Sequence, residues 1–120
     1  MEIFIGGGGD DLGFLNFGVM ADYARSYAAR TGRRVLSVPH AGTSRVRRAI
    51  AVASRAGEGV SLIGHSWGGP DAWRAAAWAV RAVLPVRGLI TLDPVGGPLR
   101  RRFEGPAPAF WLNVEARPSS

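Results

Sequence analysis

The chain has no cysteine and no lysine. Without cysteine there is no disulfide, no thiolate metal site and no thiol nucleophile, so nucleophilic chemistry would have to run through oxygen. Without lysine there is no ammonium for a nucleotide-binding P-loop and no amine for a Schiff base. Long apolar runs are also missing. The most apolar stretch, Asp71 to Leu84, is interrupted by Arg74 and Arg81 and falls short of the roughly 18 residues that a membrane-spanning helix needs. The opening Met1-Glu2-Ile3-Phe4-Ile5 has no basic segment leading into a long apolar run, so no secretory leader is read and the expected location is cytoplasmic.

Among the 120 residues, 47% are hydrophobic and 20% charged, the balance of a globular protein with one core, so a single domain over residues 1–120 is expected. The formal charge of +6 is carried entirely by fifteen arginines. Excess charge governs solubility and steering until clustering on one surface is established. Arg100-Arg101-Arg102 cannot all face one way, so they are read as solvated, and no nucleic-acid partner is expected.

Apolar runs and helical periodicities alternate along the chain. Glu2 to Gly6 reads as a buried strand ending in glycines, and Met20, Tyr23, Ala24, Tyr27 and Ala28 mark an amphipathic helix over Asn16 to Arg30, stopped by Thr31-Gly32. Val35 to Val38 is a second strand. Thr43 or Ser44 is positioned to cap a helix whose inward face is Val46, Ala49, Ile50 and Ala53. Val60 to Gly64 is a third strand, Pro70 to Leu84 a helix covered over most of its surface, Gly88 to Leu92 a fourth strand and Phe110 to Val114 a fifth. Trp73, Trp78 and Trp111 have apolar neighbours and are assigned to the core. This alternation predicts a three-layer α/β domain around a mainly parallel five-stranded sheet, with sites at the carboxyl ends of the strands.

Chemistry concentrates at Gly64-His65-Ser66-Trp67-Gly68. This G-x-S-x-G run lies between a buried strand and a buried helix, the context in which the motif forces a serine into a strained, exposed turn. The positions two before and two after the serine must be small, and the helix that follows offers amide hydrogens and a positive dipole end to developing negative charge. The Gly6 to Gly9 loop does not fit the dinucleotide fingerprint and precedes no lysine. Asp10 and Asp11 have no histidine beside them and are read as loop residues. No metal and no cofactor are expected.

With its histidine before the serine, the elbow resembles that of the α/β-hydrolase family, and the likeness extends over nearly the whole chain as a minimal core with strand order 2-1-3-4-5 and no cap. The resemblance implies a lipase- or esterase-like serine hydrolase. Ser66 is then the nucleophile, the Trp67 amide one oxyanion donor, and Gly8 or Gly7 the second. Thr91-Leu92-Asp93-Pro94 resembles the lipase segment that carries the triad acid, which makes Asp93 the expected carboxylate. An open site implies a bulky or lipid-like ester substrate.

The family's catalytic histidine normally follows one further strand, and only His40 and His65 occur here. His65 directly precedes the nucleophile and should point away from the catalytic edge. His40 follows the second strand and is the candidate general base. In the expected order, with strands about 4.8 Å apart, it starts roughly 10 Å from the nucleophile strand and roughly 14 Å from the acid's. Three alternatives stand at this point: a truncated form, a base supplied by a partner, or a degenerate site that serves as a binding module. An apolar sheet edge left open by a missing strand also makes pairing with a second copy an expectation.

Overall fold

A computed structural model describes residues 1–6, 19–39, 42–93 and 105–115. In chain order the elements are β1 (Glu2–Ile5), α1 (Val19–Thr31), β2 (Val35–Val38), α2 (Thr43–Arg55), β3 (Ser61–His65), α3 (Gly68–Arg81), β4 (Gly88–Leu92) and β5 (Trp111–Val114). They form one five-stranded sheet in the order β2-β1-β3-β4-β5, with every neighbouring pair parallel. The expected α/β architecture and strand order are therefore present.

The chain steps from β1 to β2 in one direction along the sheet and from β2 onward in the other. Crossovers of one hand must then put α1 on one face and α2 and α3 on the opposite face. Side chains divide the same way. Ile3, Ile5, Val38, Leu62 and Leu89 pack with Val46, Ile50 and Ala53 of α2 and with Trp73 and the alanines of α3. Phe4 and Ile63 point to the other face, against Met20 and Ala24 of α1. Central strands covered on both sides must be apolar at every position, which is why β1 reads as an unbroken hydrophobic run. Ala72, Ala75, Ala76 and Ala79 are fully buried, and their small side chains let α3 lie close to the sheet.

Two local expectations change. Neither Thr43 nor Ser44 caps α2, whose N-cap is Gly42 with no side-chain bond. Trp111 is not core: it is 40% exposed. One side of its ring meets Trp73 edge-on at 4.8 Å, and among the described residues β5 is the edge strand, with no strand beyond it. Its indole N–H donates to Thr91 Oγ1 at 3.0 Å, and that hydroxyl donates to Asn113 Oδ1 at 2.7 Å. The fully buried Thr91 is thus satisfied by β5, as a buried hydroxyl requires.

The helices end alike. After α2, Gly57 adopts φ 72, its N–H bonds the Ser54 carbonyl at 3.0 Å and the Glu58 N–H bonds that of Ala53 at 2.8 Å, a Schellman closure. After α3 the same pattern recurs, with Leu84 N–H on Ala79 O at 2.8 Å and Val83 N–H on Val80 O at 3.2 Å. Here the left-handed position holds Val83 at φ 56. A β-branched residue there is strained by about 1–2 kcal/mol. Val83 is 88% exposed, so Val83→Gly forfeits little packing. It should raise the unfolding free energy by about 1 kcal/mol, read as a higher urea midpoint at unchanged slope.

Candidate active site

The direction of the chain reverses between β1 and β3, which are adjacent in the sheet and lead to opposite sides of it. At such a switch point the connections diverge and leave a crevice at the carboxyl ends of the strands. β1 enters that crevice through Gly6, and β3 through His65, Ser66 and Trp67 before α3 starts at Gly68. The topology thus singles out the loops that the motif singled out, by separate reasoning.

Ser66 has φ 56, in the left-handed region that non-glycine residues avoid. Its N–H donates to the Leu92 carbonyl of β4 at 2.9 Å, and its carbonyl accepts from Gly69 N–H at 3.0 Å. Both bonds hold the bend closed. A strained serine at a strand-to-helix turn, anchored on both sides, is the backbone signature of a nucleophile elbow.

The flanking glycines are held by contact. A Cβ on Gly64 would overlap the Gly68 carbonyl and lie 2.8 Å from Ala72 Cβ. A Cβ on Gly68 would overlap the Ile5 carbonyl and lie 2.7 Å from that of Gly6. Steric demand at these two positions therefore comes from different partners. Gly64 clears the first turn of α3, and Gly68 clears the end of β1, so the start of the glycine-rich loop lies directly against the elbow. Trp67 is the N-cap of α3, with its side chain 52% exposed beside the crevice.

Asp93 follows Leu92, the residue whose carbonyl receives the Ser66 N–H. It is therefore at the tip of the strand next to the one that leads into Ser66, at φ 44, with its N–H on the Val114 carbonyl at 2.8 Å. That bond brings up a second carboxylate, at the start of a strand-end loop that the sequence marks but to which it assigns no acid. Glu115, one residue beyond β5, stands at the same edge and accepts from Asn113 Nδ2 at 3.2 Å. Its signal in the sequence was an acid placed immediately after a candidate strand.

His65, the last residue of β3, faces α1. With Phe4, Tyr27, Ile63, Ile90 and Leu92 it lines an apolar cavity of about 470 Å³ on the α1 face of the sheet. A side chain turned to that face is turned off the strand tip. His40, Gly7, Gly8, Asp10, Asp11 and Arg100 to Arg102 lie outside the described residues. Among the described residues no three histidine or acidic side chains gather in a metal-binding group, and no helix is long and apolar enough to cross a membrane.

No family model, curated protein or solved structure matches this chain. The reading of the site therefore rests on its own geometry.

The pinch at the elbow has a measurable consequence. Gly68→Ala must push α3 off the end of β1 and should cost about 2–3 kcal/mol. Gly32→Ala meets no atom within 4 Å, and its φ of 69 leaves only the left-handed penalty of about 1 kcal/mol. Urea melts of the two variants should differ in that order; equal losses would mean that the close approach at Gly68 does not exist.

Proposed function

We propose that the protein is a serine hydrolase acting on carboxylic esters, with Ser66 as nucleophile. The observation that carries this reading is the left-handed Ser66 pinned between β3 and α3 by Gly64 and Gly68, at the switch point of the sheet. In the proposed reaction Ser66 Oγ forms a bond to the ester carbonyl carbon while its proton passes to a general base. Amide hydrogens of Trp67 and of Gly8 or Gly7 receive the charge on the carbonyl oxygen. Donors so placed are commonly worth about 3–4 kcal/mol each. The ester C–O bond then breaks, the departing alkoxide takes the proton, and water releases the acid from the acyl-enzyme.

In this scheme Asp93 orients and stabilises the protonated base. Glu115, at the neighbouring strand tip, is an alternative for that role. His40 is the base proposed from this chain. Exposure of Trp67 at the crevice supports an open site and a bulky or lipid-like acyl group.

A second reading, a noncatalytic module that keeps the elbow as part of its fold, is favoured by one observation. His65, the histidine among the described residues, faces α1 rather than the strand tip.

A fluorophosphonate probe separates the two. The hydrolase reading expects stoichiometric labelling, abolished in Ser66→Ala, and hydrolysis of a short-chain aryl ester that falls by at least about a thousandfold in that variant. A folded protein that takes no label fits the noncatalytic module instead. If His40 is the base, His40→Ala should depress ester hydrolysis as severely as Ser66→Ala while leaving the thermal midpoint in place.

A further inference from the structure

The arginines are not spread evenly, and their clustering is a product of the tertiary fold. Between the outer edge of β2 and the exposed side of α2 lies a second cavity of about 350 Å³. Its lining is of two kinds. Met1, Leu36 and Ala49, packed against the core, make an apolar floor, and the exposed Val52, Arg34, Arg45 and Arg48 complete the lining as its rim.

Little negative charge answers that rim. The nearby carboxylate is Glu58, already shared by the Met1 ammonium at 3.3 Å and Arg34 Nη1 at 2.8 Å. α2 has no acid in its first turn, and Arg45 and Arg48 have no ion-pair partner among the described residues. Four cations against one carboxylate leave a surplus of three positive charges around one concavity. Folding gains nothing from crowding like charges, which repel. Apolar surface in the same lining also works against simple solvation: Val52 is 51% exposed beside these charges.

We infer that this cleft binds a single anionic amphiphile, a long-chain carboxylate or alkyl phosphate. Its headgroup is held by Arg45, Arg48 and Arg34, and its chain lies along Leu36, Ala49 and Val52. Guanidinium forks match carboxylate and phosphate oxygens bidentately, and the floor gives the alkyl chain somewhere to leave water. A concave floor suits one molecule better than a bilayer, which calls for a protruding apolar surface. Among the described residues the lining has no aromatic side chain on which a nucleotide base could stack. The cleft lies on the β2 edge, two strands from Ser66, and the inference stands apart from the esterase reading.

The test is calorimetric titration of the full chain with dodecyl phosphate below its critical micelle concentration. One saturable site is expected. Affinity should fall at least about tenfold in Arg45→Glu/Arg48→Glu and also in Val52→Asp, both exposed substitutions whose folding is checked by thermal melts. Ser66→Ala should bind like the parent chain. Inorganic phosphate should bind at least about tenfold more weakly than the amphiphile, and dodecyltrimethylammonium should not bind. Undiminished binding in the arginine variant, equal affinity for inorganic phosphate, or binding only to anionic vesicles or duplex DNA would overturn the proposal.

Discussion

The close approach of three backbone segments at the carboxyl end of the sheet constrains the rest of the molecule. The first turn of α3 touches the end of β1 through Gly68 and the end of β3 through Gly64. Any side chain at either position would lift the helix off the sheet. With the helix seated, only two residues remain to turn the chain from strand to helix, and Ser66 takes the left-handed conformation that completes the turn. Its strain is offset by two backbone hydrogen bonds, one into β4 and one into α3, and by the burial of the alanine face behind it. The geometry that would make the serine reactive is thus the same geometry that docks the central helix.

Polar groups are arranged so that the sheet absorbs few of them. Thr91 is buried but closed off by Trp111 and Asn113. The largely buried Glu2 accepts from Arg33 Nε at 2.5 Å, with its Oε2 lacking a hydrogen-bond partner. Among the described residues the other side-chain ion pairs each have an exposed arginine, which makes each worth little, and the Met1 ammonium–Glu58 pair is partly buried. Charge therefore contributes modestly to holding the fold together and is left to shape the exterior, above all along the β2 edge.

The order of strands and helices, the identity of the central strands and the position of the elbow were legible in the sequence. Each is a chain-local pattern: β1 is an apolar run because both its faces are covered, and Gly64 and Gly68 bracket Ser66 within five residues. Errors appeared mostly where a neighbour distant in sequence decides, and once at a local turn. Trp111 has the composition of a core residue, but the strand that carries it ends the sheet. Thr43 and Ser44 have capping side chains, yet the turn at Gly42 starts the helix without using them. Glu115 was not singled out as a candidate acid because its link to Asp93 runs through the bond from Asp93 N–H to the Val114 carbonyl, between residues 21 apart in the chain.

By itself the sequence determined which segments become strands and helices, where the elbow falls and which chemistries are closed to a chain without cysteine or lysine. Periodicity, residue size and the absence of a functional group act over a few residues and need no partner. The tertiary structure alone decided that Ser66 is left-handed, that His65 turns toward α1 while Asp93 and Glu115 follow neighbouring strand ends, and that Arg34, Arg45 and Arg48 line a single cleft. Those facts depend on which elements pack side by side, and packing is settled by the burial of whole faces.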